Sequence, residues 1–291
     1  MHILPKNYSN MPLRLLKSIK LRKFCYPLAM KKRTSDCLQF SERYVTGAYV
    51  YKREELKSRQ FLFNDGFPTL ILMPNLSDTA ALERKGKHLK TLQSAWVCCG
   101  IIKETSWEIP EDLPYIVIVR FSPPVFYTLF DVDPTVFKAD PIRNLEDIVS
   151  PQWMDIFAEM YALEGIQERM GYLNKHFLSR EITADVPPGL ELAIEHIDQM
   201  RGNITVSELL TVLGPTCNRK WLQRAFLKHL GIPPKKYISL QRFIGAYDQY
   251  DSKSREDLLS VALNSGYYDY NHFLKDFKRF LGIAPTQYAW S

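Results

Sequence analysis

From Leu209 to Tyr247 the chain contains no aspartate or glutamate, although seven lysines and arginines fall in that stretch. The first 35 residues also lack acids and carry nine Lys/Arg. By contrast, residues 36–189 hold 16 basic and 22 acidic residues. A net charge of +6 therefore covers basic ends around an acidic middle, and such asymmetry assigns different partners to different parts. No apolar run reaches the roughly 18 residues a membrane span needs, so no membrane partner is expected. Only five cysteines occur, namely Cys25, Cys37, Cys98, Cys99 and Cys217, and their spacing matches no metal-ligand pattern. The adjacent Cys98 and Cys99 lie in an apolar run that reads as a buried strand, which suits thiols in a reducing, cytoplasmic compartment. No phosphate-binding loop, dinucleotide fingerprint or zinc-protease motif is present. His88, His176, His196, His229 and His272 are scattered without a carboxylate or cysteine at useful spacing. Nothing here supports an enzyme, a bound metal or a cofactor.

What is present divides into segments. Residues 1–40 read as a basic, disordered arm, as a short surface helix, or as an over-long translation start with the true one at Met30. Residues 41–140 read mainly as strands: "TGAYVYK", "DGFPTLILMPN", "SAWVCCGIIKETSWEI" and "LPYIVIVRFSPP" are apolar runs bounded by Pro, Gly, Asn and Asp. They predict a small β-barrel or sandwich. Residues 151–180 then show apolar residues at helical spacing, as helices trailing the strands. We assign 41–181 as a regulatory domain, 182–189 ("ITADVPPG") as a linker and 190–291 as an all-helical domain, giving an α+β chain overall.

The helical domain contains a repeat. Placing "WLQRAFLKHLGIPPKKY" (221–237) over "HFLKDFKRFLGIAPTQY" (272–288) at an offset of 51 residues matches Phe226 with Phe277, Leu230-Gly231-Ile232 with Leu281-Gly282-Ile283, Pro234 with Pro285, and Tyr237 with Tyr288. Each copy follows a shorter helix and a turn, so the pattern predicts two helix–turn–helix units. Thr205 with Glu208 forms a capping-box spacing, Asn218 and Asp269 are placed as N-caps, and Gly231 ends the first copy. In the second copy Phe273, Phe277, Phe280 and Leu281 form one apolar stripe, the face that anchors the helix. Opposite it lie Tyr270, Asn271, Leu274, Lys275 and Lys278. In the first copy Leu222, Phe226 and Leu230 anchor, while Asn218, Arg219, Lys220, Gln223, Arg224 and Lys228 point away. A major groove admits an α-helix whose amides and guanidinium groups read base edges while lysines hold phosphates. The residues between 235 and 250 predict a long helix joining the two units at fixed distance.

The runs "WLQRAFLKHLGIPPKKYISLQRFIGA" and "LLSVALNSGYYDYNHFLKDFKRFLGIAPTQY" resemble the AraC/XylS family of bacterial transcription regulators. The second follows the family signature, including G-x-x-P-x-x-[YF]. The resemblance implies a seven-helix domain of two helix–turn–helix subdomains joined by a long helix. It also implies that base contacts fall on Arg219, Lys220, Gln223 and Arg224, and in the second subdomain on Tyr270, Asn271, Leu274 and Lys275. Its implied partners are double-stranded promoter DNA and RNA polymerase, with activation the expected outcome and a small-molecule effector or a second copy as regulators. Two departures accompany it. The turn "LGPTCN" is longer than the family's usual spacing, and Asp276 beside Lys275 and Lys278 makes the second face less basic. "GIIKETSWEI" and "YIVIVRFSPPVFYTLF" look like the sensor domains of such regulators, with Trp96, Trp107, Arg120 and Tyr127 as candidate pocket residues. The competing reading is an interaction adaptor whose N-terminal domain binds a partner protein and whose DNA binding is secondary.

Overall fold

In this computed structural model, residues 38, 40, 41, 44–180, 186–252 and 258–288 are described. The basic arm expected over 1–40 falls almost wholly outside them, as do the first half of the linker "ITADVPPG" and Cys25 and Cys37. The first half is a two-sheet sandwich. β1 (Val45–Lys52), β8 (Tyr115–Phe121), β3 (Thr69–Leu72), β6 (Ala95–Cys98) and β9 (Ile142–Asn144) form a five-stranded sheet in that order. β2 (Arg59–Leu62), β7 (Thr105–Glu108), β4 (Ala80–Arg84) and β5 (Lys87–Leu92) form a second, and every pairing is antiparallel.

Both faces of the five-stranded sheet are covered, and the alternation of side chains shows how. Ile116 and Ile118 of β8, with Trp96 and Cys98 of β6, face the second sheet and pack on Leu62, Leu82, Leu92 and Trp107. Val117, Val119 and Phe121, with Val97 and Cys99, face a layer of helices. That layer comprises α1 (Pro123–Phe130), α3 (Pro151–Ala162) and α4 (Ile166–Leu178), the short α2 (Val136–Ala139) lying between α1 and β9. Phe126, Phe130, Trp153, Phe157 and Phe177 supply the helical side of this core. Strands buried on both faces have no need of polar alternation, which is why these runs are continuously apolar.

Residues 41–140 are mainly strand, as expected, with α1 and α2 as helices after β8. α1 takes the segment PPVFYTLF, because Pro123 and Pro124 occupy the first helical turn, where a missing N–H costs nothing.

The second half contains α5 (Pro188–Gln199), α6 (Val206–Leu213), α7 (Arg219–Leu230), α8 (Pro234–Ser252), α9 (Leu258–Asn264) and α10 (Tyr270–Leu281), closed by a 3-10 turn at Pro285–Gln287. These are seven helical elements. α5, α6, α7 and the start of α8 share one core through Leu190, Ile197, Leu209, Leu222, Phe226, Leu230 and Ile238. The rest of α8, α9, α10 and Tyr288 share another through Phe243, Tyr247, Val261, Phe273, Phe277 and Phe280. Among the described residues no helix is long and apolar enough to cross a membrane.

Candidate nucleic-acid interface

α6 and α7 form the first helix–turn–helix unit, and both ends are capped as their sequences direct. Thr205 accepts from the Glu208 amide at 3.2 Å while the Glu208 carboxylate accepts from the Thr205 amide at 2.7 Å. The bond from the Thr205 amide, with the Thr205 hydroxyl as a second donor, holds the Glu208 carboxyl below its ordinary pKa. Asn218 caps α7 by accepting from the Trp221 amide at 2.9 Å, and Gly231 ends it at φ +68°. α9 and α10 form the second unit. There Asp269 accepts from the His272 amide at 2.7 Å, and Gly282 closes α10 at φ +80°.

The repeated residues turn out to be the ones that hold each unit together. Phe226 meets Tyr237 with ring centroids 5.6 Å apart, and Phe277 meets Tyr288 at 5.9 Å. In each case a buried phenylalanine on the longer helix packs on the tyrosine that follows the Gly-x-x-Pro turn. The two glycines supply the left-handed backbone that stops the helix, a conformation in which a Cβ is unfavourable. The outward faces differ between copies. Asn218, Arg219, Lys220, Gln223, Arg224 and Lys228 are all exposed, along one side of α7 opposite the buried Leu222, Ala225, Phe226 and Leu230. On α10, Asn271, Lys275 and Lys278 are exposed and Leu274 is half-buried. Tyr270 is half-buried against the second core, its ring 6.2 Å from Phe273.

Asp276 does not lie on this outer face. It is 7% exposed. It accepts from the Ser239 hydroxyl at 3.0 Å, the Tyr267 hydroxyl at 3.4 Å and the Arg279 guanidinium at 3.4 Å. Its carboxylate ties α10 to α8 and leaves the charge of the outer face to Lys275 and Lys278. Residue type alone hides this, since aspartate is seldom buried unless it is hydrogen-bonded.

The four candidate pocket residues do not converge. Trp96 and Trp107 are fully buried between the two sheets, edge to face at 5.1 Å, each with an indole N–H that meets no acceptor. Tyr127 is in the opposite core, 3.1 Å from the Cys99 sulfur. Arg120 lies at the boundary with the helical domain, paired with Asp65.

A family profile described as "Helix-turn-helix domain" matches residues 216–290. Residues 216–290 are thus a helix–turn–helix domain. An uncharacterized HTH-type transcriptional regulator of Haemophilus influenzae is 32% identical over 76 residues, which is 26% of this chain and 25% of that protein. The match thus spans about a quarter of the curated relative's length. Among solved structures, ToxT from Vibrio cholerae aligns over 83% of this chain and 96% of its own, at 14% identity and a TM-score of 0.44. ToxT bound to an unsaturated fatty acid aligns over 89% of this chain and 96% of its own, at 14% identity and a TM-score of 0.42.

Proposed function

We propose that this chain is a sequence-specific transcription regulator that reads two successive major grooves of promoter DNA, one with α7 and one with α10. The observation that carries the reading is the outer face of α7. Six polar or basic side chains stand exposed on a helix whose other side is buried, within a segment free of acids. Arg224 and Gln223 have the planar donor groups that pair with guanine or adenine edges, whereas Lys228 is a flexible point charge suited to phosphate. Successive major grooves on one side of B-DNA are about 34 Å apart, and α8 provides the joining helix. α10 contributes Asn271 and Lys275 to base edges and Lys278 to phosphate, with Tyr270 and Leu274 as supporting apolar contacts. The helix–turn–helix domain and the resemblance to AraC/XylS regulators support a transcription regulator in preference to an enzyme. Activation through contact with RNA polymerase, under control of a small molecule or a second copy, completes the reading.

Genome-wide binding of the tagged protein tests it. Two sequence blocks about one helical turn apart are expected. With the site in hand, Arg224→Ala should weaken specific binding by about 1–3 kcal/mol and relax one base position. Lys228→Ala should weaken specific and random DNA alike and reduce the salt slope by about one. Equal losses on both kinds of DNA for Arg224→Ala would remove base reading from α7.

A further inference from the structure

The loop between β2 and β3 enters both helix–turn–helix units. Phe63 is fully buried within the second unit's core, its ring 5.8 Å from Phe243 and 5.1 Å from Tyr247. Phe67, four positions later, packs within the first unit's core. Between them the Asp65 carbonyl accepts a 2.8 Å bond from the Gln241 side chain at the middle of α8. Gly66, at φ +93°, passes so close to α8 and its leading turn that a Cβ would stand 2.9 Å from the Ile232 Cδ1.

The loop is also held in shape from its own side. Asn64 donates to the Phe67 carbonyl at 3.1 Å and accepts from the Gly66 amide at 3.2 Å. The Asp65 carboxylate accepts from the Phe67 amide and is paired with Arg120 of β8. That guanidinium lies 4.2 Å over the Phe67 ring and donates to Thr46 at 2.7 Å. Beneath the loop, the Cys99 sulfur is 3.7 Å from the Gly66 carbonyl and the Cys98 sulfur 3.9 Å from Asn64. A second contact lies beside it, where the Glu104 amide donates to the Phe280 carbonyl at the end of α10 at 3.1 Å.

We propose that the β2–β3 loop is a brace that sets the spacing between the two DNA-reading helices, so that the N-terminal domain fixes which half-site separation the protein accepts. This rests on the two-groove reading above. The recognition faces of α7 and α10 stay exposed while the brace is seated, so its contacts constrain their separation and do not cover them. α8 joins the two units covalently at one place. The loop adds a second, non-covalent tie to each, rooted in the five-stranded sheet through Arg120. Restricting the relative freedom of two linked readers raises the effective concentration of the second only at the matching separation.

Selection of binding sites from a random double-stranded DNA pool tests the brace with the full-length chain, Phe63→Ala and Gln241→Ala. The wild-type chain should recover two blocks at one separation. The variants should recover the same blocks spread over several separations, with the preference over a one-base-pair insertion reduced by about tenfold. Circular dichroism melts confirm that each variant is folded. Gln241→Ala, which removes a single hydrogen bond, keeps the test open if Phe63→Ala does not fold. Variants that keep one separation with undiminished preference would overturn the brace, as would variants that bind more tightly at every separation. A wild-type motif with one block or with several separations would overturn it too. Failure of the wild-type chain to enrich any sequence would instead defeat DNA reading itself.

Discussion

Single residues in this protein carry two kinds of duty, and burial separates them. Cys99 lies at 0% exposure against Tyr127, and burial pushes its thiol up to about 12. The thiolate is the reactive form, so at neutral pH Cys99 should resist maleimide in the folded chain while the half-buried Cys217 labels. Mass spectrometry of labelled peptides before and after urea checks this. The linkage has a definite sign. Above about pH 8.5 an unfolded cysteine ionises while folded Cys99 stays protonated, so the thiol's contribution to stability is lost as pH rises from there towards 12. Burial moves the Tyr127 phenol in the same direction. Asp276 shows the other duty. Asp276→Ala leaves the Ser239 and Tyr267 hydroxyls without their shared acceptor and should cost about 1–3 kcal/mol in urea unfolding, with Asp276→Asn costing less. Asn218 has both duties. Its side-chain oxygen is spent on the cap of α7, so Asn218→Ala should lower stability by about 1 kcal/mol in a thermal melt, apart from any effect on DNA.

At the scale of elements, legibility followed the burial pattern. β3, β6 and β8 are apolar on both faces, and their sequences announce them. β5, "KHLKTL", buries only Leu92, because it is the edge of the smaller sheet. Its lysines suit an open edge and hide the strand from any reading of hydrophobic pattern. α7 and α10 were legible twice over, from their apolar stripes and from their repeat. What the repeat alone could not reveal is which way its unmatched residues face: Asp276 and Phe280 are buried, while Lys275 and Lys278 are exposed. The turn between α5 and α6 also depends on a contact no local pattern encodes. Gly202 has φ +69°, and an added Cβ would stand 2.3 Å from the Arg242 amide nitrogen and 2.4 Å from the Ile238 carbonyl oxygen of α8. Both neighbours are helix backbone, so Gly202→Ala should destabilise the domain by about 2–5 kcal/mol, measurable as a lower denaturant midpoint.

For the whole molecule, the two halves share cores. Phe63 belongs to one helical core and Phe67 to the other, while their neighbours Leu62 and Thr69 belong to the sheets. Chains of this length with separate domains commonly unfold in stages. Here calorimetry of the intact chain should give one cooperative transition, and Phe63→Ala should split it into two or lower its cooperativity. A wild-type profile that already resolves two transitions would show that the interdomain contacts are too weak to couple the halves.

The sequence by itself determined the helices of the second half, their pairing into two helix–turn–helix units and the buried strands of the first half. Capping residues and helical periodicity act over a few turns of chain, and the 51-residue repeat and the acid-free stretch are read directly along it. Only the tertiary structure decided that Asp276 faces inward, that Trp96 and Trp107 fill the space between two sheets, and that the six-residue β2–β3 loop joins the two-sheet half to both helix–turn–helix units. Those outcomes depend on which surfaces meet across 37 to 184 residues of chain, as Ser239 meets Asp276 and Phe63 meets Tyr247. Contacts at that range leave no periodic mark on the sequence near either partner.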